Sequence, residues 1–213
     1  MEKNEIGHVV IAILLLFVIA ALPSVTRGDM LVMTQIFVFS FFVIGIPVIA
    51  RKMMAYALDS DVEHRLWYVF RYGIKPGWHF PKELPFGLIV PVLFAVLGFV
   101  ARVPMMIMTF LTYEARALKH RAAKRFGYYS YTEMTDWHHA LIGVAGIVSV
   151  LLVSLIGYLT GLEALSKMAA YYAFWNMIPL SKLDGAQIFF GGRIVYSILV
   201  VITLIFVGYA IVL

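Results

Sequence analysis

Phe174-Trp175-Asn176-Met177-Ile178-Pro179-Leu180-Ser181-Lys182-Leu183-Asp184-Gly185-Ala186 joins two apolar runs of the chain. Pro179 has no N–H and clashes with the preceding turn, so a helix entering from the N-terminal side breaks here and frees carbonyls. Gly185, with Gly191-Gly192 beyond it, admits close or unusual backbone. Asn176 has the amide to hydrogen-bond the unwound strand. Asp184 is then a carboxylate on irregular backbone at membrane depth, which is tolerated only where protein buries it or water reaches it. The stretch reads as a broken helix carrying a site.

The composition puts that site in a membrane. Of 213 residues 62% are apolar and 14% charged, where a soluble domain has ~45–50% and ~25%. A soluble fold would have to coat its surface with Leu, Ile, Val and Phe, so lipid is the solvent. With no cysteine there is no disulfide, thiolate nucleophile or thiolate metal site. The net charge of +5 is spread through the loops and reads as anchoring to the lipid bilayer, with no nucleic-acid partner.

A span needs about 20 apolar residues. Segments of that kind run over about 8–25, 31–50, 86–108, 140–159, 164–180 and 194–213. The third is interrupted by Arg102 and Pro104 and the fifth is short. The expectation is a single all-α polytopic membrane domain of five to six transmembrane helices, multi-pass in a prokaryotic cell membrane. Glu2 and Glu5 spoil a signal-peptide n-region, so the first segment reads as a retained helix. Arg51-Lys52, at the end of the second, suits the headgroup level.

Two stretches fall outside the spans. Residues 62–82 place aromatic and β-branched residues around Pro76-Gly77, which predicts an interfacial β-hairpin. Residues 113–137 form a basic polar loop; its part 116–125 reads equally as an amphipathic surface helix or as solvated chain. The loops from Arg51 to Leu84 and from Arg102 to Arg125 carry six Lys/Arg each, so the positive-inside rule does not choose an orientation. Arg102 reads as a snorkelling side chain and Met105-Met106-Ile107-Met108 as packing. The face of Gly143, Gly146 and Ser149 reads as a close helix contact.

Asn-x-x-Pro-x-x-x-Leu-Asp-Gly, matched by Asn176, Pro179, Leu183, Asp184 and Gly185, resembles the C-terminal motif of the site-2 protease family of intramembrane zinc metalloproteases. The resemblance implies that Asp184 is a third zinc ligand and that Asn176, Pro179, Leu183 and Gly185 belong to a substrate-strand platform. It also implies a His-Glu-x-x-His on an earlier helix, and the sequence contains none. Aligned at the end of the second helix, the histidine positions are Pro47 and Arg51 and the glutamate position is Val48. None of these can ligate zinc or act as general base.

Two partial motifs remain. Asn4-Glu5-Ile6-Gly7-His8 has asparagine for the first histidine and reads as an interfacial helix start. Asp59-Ser60-Asp61-Val62-Glu63-His64 resembles an inverted motif and reads as a loop of solvated charges. His138-His139 point about 100° apart on a helix, so one metal does not take both.

The expectation is a degenerate family member: a catalytically impaired pseudoprotease that keeps no cofactor and binds a transmembrane peptide or another membrane protein. One alternative is an active intramembrane zinc metalloprotease whose ligands include Asp184 with His8, His138 or His139. A further alternative is a small transporter with Asp184 on a solute path.

Overall fold

The structure, a computed structural model, describes residues 3–25, 28–71, 77–101, 107–118 and 134–212. Arg102, Pro104, Met105, Met106, Glu133, the basic residues 119–125 and the turn residues Gly73 and Pro76 lie outside them. The described chain is mostly helical: α1 (Lys3–Val25), α2 (Met30–Ala57), α3 (Phe86–Ala101), α4 (Asp136–Leu159), α5 (Glu163–Asn176), α6 (Asp184–Gly191) and α7 (Arg193–Val212). Four short strands, β1 (Ser60–Leu66), β2 (Val69–Arg71), β3 (His79–Leu84) and β4 (Leu111–Ala117), complete it.

Four helices are long and apolar enough to cross a bilayer: Asn4–Val25, Met30–Ala57, Asp136–Leu159 and Arg193–Val212. Among the described residues, the helices at the expected third and fifth spans are shorter. α3 has 16 residues, about 24 Å at 1.5 Å per residue, against a hydrocarbon core of ~30 Å. The chain at 107–110 is non-helical and buried, so the predicted helix to residue 108 does not continue that far. α5 stops at Asn176 after 14 residues, three residues before Pro179. Proline has no N–H to continue the ladder, and the residue before proline is pushed out of helical geometry.

α4 forms the centre of the bundle, packed against α2, α5 and α6. More than half of its apolar window is buried, 56%, while the windows of α1, α2 and α7 are 22–33% buried. Those three therefore keep exposed apolar outer faces, as with Phe37, Phe41 and Ile49 on α2 and Ile198, Val201 and Ile205 on α7.

The strands do not form one local hairpin. β2 and β3 pair antiparallel, Val69 with Leu84 and Arg71 with His79 across an irregular register. β1 crosses to β4, with Ser60 opposite Ala117 and Leu66 opposite Leu111. Residues 113–117, read from sequence as the start of a polar loop, are thus part of a strand. Its first three residues are buried, and Tyr113 and Val62 share a small core with Ala55 of α2 and Ile142 of α4. That burial needs both strands and both helices, so no local pattern signals it.

Several long-range polar contacts gather at one end of the bundle. Glu5 at the start of α1 bonds Lys52 near the end of α2, and Tyr113 of β4 donates to the His139 carbonyl at the start of α4. Tyr196 at the start of α7 donates to the Met177 carbonyl just past α5.

Candidate functional site

Arg51 lies on the last two turns of α2, and Asp184 opens α6. The guanidinium Nη2 donates to Asp184 Oδ2, with the two side chains 2% and 1% exposed. The expectation of Arg51 at the headgroup level is therefore corrected: it turns inward, and its neighbour Lys52 is the half-exposed member of the pair. Three features hold the guanidinium. The Tyr113 ring lies under it, 5.6 Å from Cζ to centroid, and the buried Tyr172 stands near it. Gly146 of α4 clears its path, since a Cβ there would stand 2.4 Å from Arg51 Nε. The Gly143/Gly146 face does pack closely, and what it packs against at Gly146 is a side-chain cation. Arg51 Nε has no hydrogen-bond partner among the described residues.

The Asn176–Ala186 stretch reaches this pair through a tight fold-back. Residues 177–183 are irregular, with Ser181 in the left-handed region at φ 52°. Leu183 is buried and precedes the first turn of α6, while Pro179 is exposed. Gly185 is obligatory for a steric reason: a Cβ would stand 2.1 Å from the Met177 carbonyl oxygen. Asn176 is fully buried, but its amide does not hold the unwound strand. It donates to the carbonyls of Tyr172 and Met108, at 2.8 and 3.3 Å. Asn176 thus contacts the chain's own buried segment 107–110.

A second buried polar group was missed by sequence reasoning altogether. Glu5 is 3% exposed. Its carboxylate accepts from Lys52 Nζ at 2.8 Å and from the His64 main-chain N–H at 3.2 Å, and its Oε1 lies 3.0 Å from His64 Nδ1. The two partial motifs, read separately as an interfacial helix start and a solvated loop, meet here on α1 and β1. His64 is fully buried, and that burial pushes its pKa down to about 4; the positive charges of Arg51 and Lys52 act in the same direction, against Glu5. The imidazole is neutral, Nδ1–H donates to Glu5, and Nε2 is an acceptor without a partner among the described residues. The near-miss motifs were the available signal, but sequence spacing could not show that the halves face each other.

Each edge of the β1–β4 sheet meets a helix side chain. Glu5 takes the His64 N–H on the outer side of β1, and Gln187 of α6 donates to the Tyr113 carbonyl on the outer side of β4. Main-chain groups alternate along a strand. Because the Tyr113 carbonyl faces outward, those of Ala115 and Ala117 do too, and β4 has no second strand beside it among the described residues.

The remaining histidines are not brought to Asp184. His8 lines a cavity of about 880 Å³ with Glu5 and His64, whereas His139 lines another of about 600 Å³ with Gln187 and Phe190. Asp184 lines neither. His138 Nδ1 accepts the Thr135 N–H at the start of α4. Among the described residues no three His, Asp or Glu side chains gather as a metal site. The donor set around Asp184, a guanidinium and two tyrosines, does not fit zinc. Comparison with family models, curated proteins and solved structures gives no match to this chain.

Proposed function

We propose that this chain is a site-2-protease-like integral membrane protein that does not hydrolyse peptides and instead holds a membrane segment or a partner protein. One observation carries the loss of hydrolysis: the Asp184 carboxylate, the third zinc ligand on that reading, is engaged by Arg51. A guanidinium stays protonated and has no lone pair for a metal. It supplies positive charge to the carboxylate, but it can neither bind water as a Lewis acid nor lower that water's pKa toward neutrality. Pro47 and Val48, on the same helix, supply no replacement ligand or base.

The binding half of the proposal is supported by the outer edge of β4. Ala115 and Ala117 offer main-chain donors and acceptors beside the cavity that Gln187, Lys182 and Arg116 line. An extended segment gains affinity from such an edge by main-chain hydrogen bonding.

The test is zinc content of detergent-purified protein, wild type beside Asp184→Ala. Zinc well below one per chain in both is the expected result. Near-stoichiometric zinc that disappears in Asp184→Ala would overturn the proposal in favour of an active metalloprotease.

A further inference from the structure

The link between α5 and α6 is anchored at both ends and exposed in the middle. Met177 and Leu183 are 3% and 1% exposed. The Met177 carbonyl accepts from Tyr196 and leaves no room for a Cβ on Gly185, and Leu183 is followed by Asp184 in its pair with Arg51. Between these anchors Pro179, Leu180, Ser181 and Lys182 are all exposed. Ser181 stands at φ 52°, a left-handed well that a residue with a Cβ occupies against a steric cost.

This exposed stretch lies between the two cavities. Leu180, Ser181 and Lys182 line the one of about 880 Å³, and Ser181 and Lys182 also line the one of about 600 Å³. Glu114 of β4 is the third residue common to both. The first cavity takes in Glu63, Arg65 and Thr112 from the polar face of the β1–β4 sheet, and the second takes in Tyr113 and Ala115 on β4. What separates them is the contact of the link with Glu114.

Two clasps close that contact. Lys182 Nζ donates to Glu114 Oε1 at 2.8 Å, with side chains 62% and 31% exposed. The Gln187 amide donates to the Lys182 carbonyl at 3.2 Å and to the Tyr113 carbonyl at 3.4 Å, so it ties the link to the edge of β4. Both clasps are weak: an exposed ion pair contributes little and is screened by salt, and hydrogen bonds of this length are at the long end. Release strands no charge. Glu114 keeps Arg65 and Arg116 at 3.9 and 3.8 Å, and Lys182 returns to water.

We propose that residues 179–182 form a strap, hinged at Met177 and Leu183 and latched across β4 by Lys182 and Glu114, whose release joins the two cavities into one groove. This rests on the reading that an extended segment docks on the outer edge of β4. With the strap latched, Gln187 takes the Tyr113 carbonyl; lifting it removes the Lys182 carbonyl that holds the Gln187 amide in place, and the Tyr113 carbonyl becomes free for the incoming segment.

The chain has no cysteine, so a single spin label at Ser181→Cys reports the strap alone. Electron paramagnetic resonance of the full chain in nanodiscs is expected to show an immobile and a mobile population. Raising salt from about 0.01 to about 1 M shortens the Debye length from ~30 to ~3 Å. The mobile-to-immobile ratio should then rise by up to about fivefold, the upper range for an exposed ion pair. Lys182→Met and, separately, Glu114→Gln should show the high ratio at both salt concentrations. A ratio that salt and both variants leave unchanged overturns the proposal. A control label at Phe190→Cys, 75% exposed on α6, should not respond; if it loosens in step, α6 moves with the link and the strap is overturned. The readout uses neither a partner nor zinc, so its failure leaves the docking reading standing, and failure of the docking reading leaves the spectra as expected.

Discussion

The guanidinium of Arg51 and the carboxylate of Asp184, 133 positions apart in the chain, form a buried ion pair that ties the end of α2 to the start of α6. The pair lies between the tyrosines 113 and 172, and one glycine of the central helix makes room for it. A buried pair of this kind contributes less net stability than its Coulomb attraction suggests, because both ions lose their hydration. Its fragility is asymmetric: removing one partner strands the other.

Removal of Arg51 alone is therefore expected to be more damaging than removal of both partners. Arg51→Met should cost about 3–5 kcal/mol by leaving Asp184 uncompensated. Arg51→Met combined with Asp184→Leu should recover much of that loss. Thermal unfolding of the three proteins in one detergent measures it, and a double variant as unstable as the sum of the singles would refute the asymmetry.

Gly146 provides a second test of the same geometry. Gly146→Ala puts a Cβ where the Arg51 guanidinium lies, 2.4 Å from Nε, and overpacking of this kind typically costs about 1–3 kcal/mol. In an Arg51→Ala background the space is empty and the extra methyl should be nearly neutral. Equal destabilisation in both backgrounds would show that α4 resists the methyl for another reason.

Gly185→Ala has no comparable rescue. Its Cβ would meet the Met177 carbonyl at 2.1 Å, and that atom is backbone, so the link between α5 and α6 must shift as a unit. The expected outcome is loss of the monodisperse folded species in size-exclusion chromatography. Ser181→Gly, which relieves a positive φ, should be neutral or mildly stabilising.

Acid should loosen the α1–β1 contact. Burial holds the His64 pKa near 4 against an ordinary 6.5, so between those values the unfolded chain binds a proton that the folded chain does not. The contribution is complete above pH 6.5 and is lost as pH falls toward 4, by on the order of 3 kcal/mol. His64→Gln should flatten this part of the stability–pH profile. An unaltered profile would assign the acid sensitivity to another group.

Asn176→Ala removes the side-chain donor to Met108 and Tyr172 and leaves the buried Met108 carbonyl short of a partner, for an expected loss of about 1–3 kcal/mol. The reading that Asn176 anchors the chain's own 107–110 segment predicts faster proteolysis at that segment in the variant. Unchanged cleavage there would make the Met108 contact incidental.

Much of the architecture was legible from hydropathy alone. Four of the six apolar segments are helices long enough to span, because a run of some 20 apolar residues has no other stable arrangement in lipid. Pro179 marked the end of α5 for the same local reason that any proline ends a helix. The segment at 164–180 fell short, its helix ending at Asn176 ahead of Pro179, where an apolar count overstates helix length; at 86–108 the described helix covers Phe86–Ala101, and residues 107 and 108 are not helical.

Read alone, the sequence carries the membrane-compatible apolar composition, the places of the long helices, the helix break in the Asn176–Gly185 stretch and the absence of His-Glu-x-x-His. These are properties of composition and local backbone chemistry, which act over a few residues. The tertiary structure alone decided that Arg51 meets Asp184, that Glu5 meets His64, and that β1 crosses to β4. Each of those pairings joins elements far apart in the chain. A charged or polar side chain excluded from water takes whichever partner the packed helices bring within reach, and that depends on the whole bundle.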